Sequence, residues 1–355
     1  MGTEPLKNNI IQDKPAIWCI TPKGKALGIK LKNALPDSAL FLSNSIDDGS
    51  EHGIDIFGFD ILRLEIHKAF HQYSGHIFIF STGITVRMIA SLLKSKIVDP
   101  AVVVVDDNGN HAISLISGHI GGANALTKKI ADIIHARPVI TTATDTNGLP
   151  AIDLIAIEKG LYIETPWNIK RINMAFLTGK PISLDDPLDF LEEELQGISL
   201  IKESADDQEI EKIFCSPEIR PVPRETMILR PPVLSVGIGC NRGTGVEEIY
   251  DFLTHVFKEG DLSIHSIDRL SSIDLKENEK GLLTLAEKMK LPLDFHTKEK
   301  LNSVESIQTP SKMVEKHVGV KSVCEASAIL SADNGNLIIT KKKNKDVTIA
   351  VAIRK

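Results

Sequence analysis

The run Ala101-Val102-Val103-Val104-Val105 constrains the fold of this chain more than any other feature. Unbroken β-branched residues favour a strand and leave no polar face for water. Such a strand is covered by helices on both sides, which points to a largely parallel α/β sheet. The neighbouring segments keep that rhythm. Residues 17–20 and 76–80 read as short strands, and Ser81-Thr82-Gly83 leads from the second into helical spacing over 84–93. Asp107-Asn108-Gly109 is a hairpin-type turn into another strand at 111–117, the one antiparallel pair expected here. A glycine turn at 118–122, a helix over 123–135 and a strand at 138–141 complete the region.

Further along, residues 151–159 and 167–177 read as helices and 182–184 as a strand, while the polar, acidic stretch 202–212 reads as a solvated face. Prolines at 217, 221, 223, 231 and 232 argue against helix or central strand, so 216–232 is expected to be a linker. A strand at 233–238, a glycine turn at 239–245 and a helix over 246–257 then restart the rhythm. Helices over 278–290 and 320–330, a strand at 292–296 and a closing antiparallel meander (337–340 and 347–353) follow. At 355 residues the chain exceeds one core. The expected architecture is multi-domain α/β: an N-terminal domain 1–142 with a mostly parallel, doubly wound sheet, a middle α/β region 143–215, the linker, and a C-terminal α/β domain 233–355.

A net charge of -6 and 5% aromatic residues argue against a nucleic-acid surface. The four cysteines form no C-x-x-C pair, so neither a zinc site nor a disulfide framework is indicated. No apolar run reaches the ~18 residues of a membrane span, and the first fourteen residues are polar, so a cytoplasmic protein without membrane contact is expected.

The candidate chemistry sits on the turns. Gly118, His119, Gly121, Gly122 and Asn124 lie between a strand and a helix, where free N–H groups favour an anion and His119 titrates near neutrality. The same turn could simply pack helix on sheet. Thr82 and Gly83, with Arg87 a helical turn later, form a second such place, with Arg87 suited to a carboxylate or to a surface ion pair. Asp106 ends the valine strand and is a plausible acid or base. Thr142, Thr144 and Asp145 crowd hydroxyls and a carboxylate after another strand, fit either for a ligand or for local turns. Gly239, Asn241, Arg242 and Gly243 make a further anion cradle, although neither the Walker A nor the dinucleotide spacing is present.

In order, Ser81-Thr82-Gly83-Ile84-Thr85-Val86-Arg87, Ile116-Ser117-Gly118-His119-Ile120-Gly121-Gly122-Ala123-Asn124, Pro138-Val139-Ile140-Thr141-Thr142-Ala143-Thr144-Asp145 and Val236-Gly237-Ile238-Gly239-Cys240-Asn241-Arg242-Gly243 resemble the cobalamin biosynthesis protein G family, the cobalt-precorrin-5A hydrolases. Thr309-Pro310-Ser311 is similar to a stretch of its C-terminal domain, whereas the first fifteen residues carry no match. The resemblance implies opening of a δ-lactone on a cobalt-tetrapyrrole in anaerobic vitamin B12 synthesis, with release of acetaldehyde. It implies no cofactor and no protein metal site, because cobalt travels with the substrate, and transient contact with pathway methyltransferases. A non-catalytic carrier of the same intermediates is the alternative. For lactone opening, His119 is the expected acid/base, Asp145 or Asp106 its orienting partner, and the N–H groups of Gly121 and Gly122 the oxyanion or carboxylate donors.

Overall fold

The computed structural model describes residues 12–47, 49, 53–95, 98–201, 210–310, 315 and 319–354. The chain divides into two compact units, Met1–Leu154 and Ile155–Lys355. Most of the acidic stretch 202–212 and Ser311 lie outside the described residues.

The first unit runs β1 (Gln12–Cys19), α1 (Pro22–Ala34), β2 (Ala39–Ser43), β3 (Ile56–Phe59), α2 (Leu62–Ala69), β4 (Tyr73–Ile79), α3 (Thr82–Ile89), β5 (Ala101–Val105), β6 (His111–Ile116), α4 (Ala123–Ile134), β7 (Arg137–Val139) and α5 (Ala143–Asn147), and ends within α6 (Ile152–Glu158). Its strands form one seven-stranded sheet in the order β3-β2-β1-β4-β5-β6-β7. As the valine run requires, every residue of β5 is buried. Alternate residues serve opposite faces. Ile17, Cys19, Ile77, Ile79, Val103 and Val105 pack with Leu31, Ile130 and Ile134 on one side. Trp18, Phe78, Val102 and Val104 pack with Ile66, Phe70 and Ile89 on the other.

All neighbouring strands in this sheet are parallel except β5 and β6. Val105 pairs with Ala112 and Val102 with Ile116, so β6 ends beside the start of β5. β7 follows β6. The turns after β4 and β5 therefore lie at one end of the sheet, and those after β6 and β7 at the other.

The second unit holds two five-stranded sheets. The first is built from β8 (Tyr162–Ile163), α7 (Ile169–Thr178), β9 (Ile182–Asp185), β10 (Leu200–Ile201), β11 (Glu211–Cys215) and β12 (Met227–Arg230). β12 lies between β11 and β8, so the proline stretch expected as a linker contributes an interior strand. The four residues between Thr226 and Pro231 contain no proline, and their N–H groups remain available for pairing. The second sheet comprises β13 (Leu234–Cys240), α8 (Val246–Glu259), β14 (Ile267–Ile273), α9 (Lys280–Met289), β15 (Leu293–His296), α10 (Lys298–Asn302), α11 (Val323–Ser331), β16 (Asn336–Lys343) and β17 (Val347–Ile353). β13, β14 and β15 are parallel, and the β16–β17 meander joins β13 antiparallel. Among the described residues, no helix is long and apolar enough to cross a membrane.

Candidate active site

The glycine turn closes on itself before it meets anything else. Ser117 takes a left-handed conformation, with φ 58°, and Gly122 has φ 84°. Gly122 N–H donates to the His119 carbonyl at 2.8 Å, Ala123 N–H to Ser117 at 3.0 Å and Asn124 N–H to Gly118 at 2.9 Å. These early N–H groups of α4 are thus bonded within the turn, and Gly122 is not the free anion donor expected. Gly118 and Gly121 are explained by close approach. A Cβ on Gly118 would lie 2.9 Å from Asn124 Oδ1, and one on Gly121 would overlap the Ser117 side chain.

Folded this way, the turn brings His119 and Asn124 to the residues after β7. Asn124 is 5% exposed and organises the cluster. Its Oδ1 accepts from Ser114 Oγ at 2.6 Å, and its Nδ2 lies 3.0 Å from both Thr142 Oγ1 and Asp145 Oδ2. His119 Nε2 is 3.1 Å from Asp145 Oδ2 and 3.1 Å from Thr144 Oγ1. On the opposite side of the ring, Nδ1 is 3.3 Å from Asp153 Oδ2. Lys128 Nζ stands 3.9 Å from Asp145 Oδ1. The imidazole is held above its ordinary pKa, chiefly by the hydrogen bond to Asp153, against burial and with further help from Asp145. A protonated His119 can donate to both carboxylates at once. Because these face opposite ring nitrogens, the three groups do not converge on a point where a metal ion would sit.

Asp153 was not foreseen from the sequence. It stands in the first turn of α6, where an acidic residue is ordinary helix chemistry, so only the folding of 148–152 reveals its meeting with His119.

The remaining candidates lie elsewhere. Asp106 follows β5, and the six residues of β6 put the far edge of the sheet ~20 Å away at about 3.3 Å per residue. Asp106 therefore cannot orient His119. Burial raises its carboxyl, but the N–H groups of His111, Asn110 and Asn108 outweigh that and hold it below the usual value. It is the acceptor of its own hairpin turn. Thr82, Gly83 and Arg87 lie at that same end, on α3, where Arg87 Nη1 donates to the Gly83 carbonyl at 3.3 Å. The reversal at β6 thus sets 82–87 and 106 apart from 118–124 and 141–145.

Gly239, Asn241, Arg242 and Gly243 belong to the second unit. A Cβ on Gly239 would lie 2.6 Å from Thr348 Oγ1. Asn241 is bonded to Asp346, and Gly243 N–H donates to Glu279 Oε1 at 2.9 Å. The loop's own neighbours thus occupy part of this cradle. Arg242 and Gly243, with Lys280 and Gly281 at the start of α9, line an open cavity of about 690 Å³.

Three family models match the chain in series. The cobalamin synthesis G N-terminal model covers residues 65–145, the cobalamin biosynthesis central region 150–231, and the cobalamin synthesis G C-terminus 234–352. The cobalt-precorrin-5A hydrolase of Priestia megaterium is 33% identical over 353 residues, 95% of this chain and 94% of that protein. Its namesake from Salmonella typhimurium is 32% identical over 357 residues, 98% of this chain and 99% of that protein. The chain belongs to the cobalamin synthesis G family. Among solved structures, a cobalamin biosynthesis protein G homolog from Sulfolobus solfataricus matches at 23% identity and a TM-score of 0.36, covering 98% of this chain and 99% of that one. CobE, from the cobalamin pathway, matches 35% of this chain and 91% of its own at 32% identity and a TM-score of 0.34. Within the family's frame, His119, Asn124 and Asp145 fall in the N-terminal model and Asp153 at the start of the central one.

Proposed function

We propose that this chain is a cobalt-precorrin-5A hydrolase, acting on a cobalt-tetrapyrrole whose metal belongs to the substrate. Membership of the family over nearly the whole chain, beside relatives bearing that name, carries the reading. In the reaction, a water oxygen bonds to the lactone carbonyl carbon, the acyl C–O bond breaks, and the departing alkoxide takes a proton. The hydroxyl so formed then loses its proton as the carbon–carbon bond breaks. Acetaldehyde leaves and the electron pair stays on the macrocycle.

Each stage moves a proton on or off oxygen, which calls for a group that can do both near neutral pH. His119 supports this role through its contact with Asp145 and its half-sheltered position. Asp145 in turn is held by Asn124, so the pair is positioned before substrate arrives. Thr82, Gly83 and Arg87, and the loop containing Arg242, are assigned no catalytic part.

The test is acetaldehyde release from the lactone substrate. His119→Ala is expected to lower it by about 10²-fold or more, the usual yield of acid–base catalysis. Equal release without any protein would defeat the hydrolase reading and favour a carrier. Full activity in His119→Ala would defeat the assignment of His119 alone.

A further inference from the structure

We propose that Asp153 is a positioning residue that holds His119 with its proton on Nδ1, so that Nε2 is the atom that gives up and takes back a proton. The inference rests on the acid/base reading of His119 and adds to it a direction. A neutral imidazole has one N–H and one bare lone pair, and the surroundings decide which nitrogen keeps the hydrogen. At Nδ1 the facing group is the Asp153 carboxylate, 3.3 Å away on a residue only 2% exposed. An ionised carboxylate accepts hydrogen bonds and cannot donate one, so a bare Nδ1 would set a lone pair against a buried negative charge.

The other nitrogen is differently placed. Nε2 has two neighbours at 3.1 Å, Asp145 Oδ2 and the Thr144 hydroxyl. While Nε2 carries a proton, it donates to Asp145 and the hydroxyl accepts or turns away. When that proton leaves, Thr144 Oγ1 can turn its own hydrogen toward Nε2. Asp145 Oδ2 keeps the Asn124 Nδ2 donor at 3.0 Å throughout. Lys128 Nζ stands 3.9 Å from Asp145 Oδ1 and adds a positive charge on that side of the pair. A bare Nε2 also faces a carboxylate, but Asp145 is more exposed than Asp153 and carries the Asn124 donor, and Thr144 can donate to the bare nitrogen. Loss of a proton is therefore better tolerated at Nε2 than at Nδ1. Carboxylate, imidazole and hydroxyl stand in the order that a hydrolytic triad uses to aim its histidine. The raised pKa of His119, with Asp153 as first cause, agrees with this arrangement.

The experiment uses the full chain with ¹⁵N-labelled histidine and long-range ¹H–¹⁵N correlation across a pH titration. His119 is identified by the loss of its signals in His119→Gln. Above its midpoint, the unmutated protein is expected to show Nδ1 protonated and Nε2 bare. In Asp153→Asn the midpoint should fall and the Nε2–H form should appear. The kcat for acetaldehyde release should drop by about 10²–10⁴-fold, as when a triad carboxylate is neutralised, with KM changed less than about twofold. An Nε2–H tautomer in the unmutated protein would overturn the proposal, and that reading does not depend on Asp153→Asn folding. So would a folded Asp153→Asn with tautomer, midpoint and kcat all unchanged. The spectra are recorded without substrate, so they judge Asp153 apart from the hydrolase reading, which fails if the unmutated chain releases no more acetaldehyde than is released without protein.

Discussion

Acid should loosen the first unit well before its carboxylates titrate, and His76 is the reason. The ring is fully buried in β4, stacked between Phe70 and Phe78 with centroids 5.1 and 5.6 Å away. Trp18 Nε1 donates to its Nδ1 at 3.0 Å, and its Nε2 lies 3.0 Å from the Phe70 carbonyl. Both nitrogens are thus satisfied by the neutral form, and burial pushes the pKa down to about 4. The unfolded chain binds a proton at about 6.5. Below that pH the unfolded state takes up a proton that the native state refuses, so stability falls as pH falls. The whole effect is about 3 kcal/mol, at about 1.4 kcal/mol for each unit between the two values, and is complete only near pH 4. Roughly 1–2 kcal/mol of it is lost between pH 6.5 and 5. His119 works in the opposite sense: its folded pKa is raised, so its stabilisation is essentially complete below about 6.5 and fades as pH rises through the folded value. The assay is urea unfolding of the full chain followed by tryptophan emission, in which Trp18 is buried and stacked on Phe41 at 4.0 Å whereas Trp167 is exposed. For a slope of about 2 kcal/mol per molar urea, the midpoint should move down by roughly 0.5–1 M between pH 6.5 and 5. His76→Gln, which keeps an acceptor for Trp18, should flatten that dependence while lowering stability at pH 7. A midpoint that stays level from pH 6.5 to 5, or a slope that survives in His76→Gln, would refute the reasoning.

Two substitutions in the second unit test its packing. A Cβ at Gly237 would collide with the Cys324 carbonyl where α11 crosses β13, so Gly237→Ala should destabilise by about 3 kcal/mol, read as a lower urea midpoint for the second unit. Glu325 is fully buried and accepts from Gln308 N–H, Thr309 N–H and Lys341 N–H at 2.9–3.0 Å and from the Thr309 hydroxyl at 2.7 Å. Glu325→Gln points an amide N–H₂ at one set of those donors, and thermal unfolding should show a loss of about 2–3 kcal/mol.

The fold was most legible where hydropathy and burial coincide. β5 was read to the residue from its valines, and the helix after the glycine turn to within one. Failures have identifiable causes. β14 went unread because Ser271 and Ser272 interrupt its apolar pattern, yet both are fully buried and their hydroxyls bond the Val236 and Ile238 carbonyls of β13. A strand that satisfies its polar groups through its neighbour hides its burial from hydropathy. α1 is masked by lysines and two glycines, one of which, Gly28, leaves room for the Cys19 sulfur. In the site, His119, Asn124, Thr142, Thr144 and Asp145 were picked out as separate turn residues, and the structure gathers them. Asp153 had no distinguishing signal, since its partner lies 34 residues away in sequence.

The reversal at β6 explains why a correct rule does not gather every candidate turn at one place. Open α/β sheets bind ligands beyond the carboxyl ends of their strands, and each candidate turn does follow a carboxyl end. The Asp107-Asn108-Gly109 hairpin was itself readable as an antiparallel turn, and it carries the carboxyl ends of β6 and β7 to the opposite edge from those of β1, β4 and β5. The sheet thus has two functional-looking ends. At one, the hydroxyl of Thr21 is bonded to Asp107, and Arg87 is turned back onto the Gly83 carbonyl. These contacts are local to the turns they stabilise. At the other, a titratable ring is held between two carboxylates from different helices, one of them fixed by an asparagine that itself bridges two strand ends. Turn chemistry does not require such long-range agreement between side chains, whereas proton transfer does. That difference, rather than glycine content or the direction of the main sheet, locates the candidate chemistry beside β6 and β7.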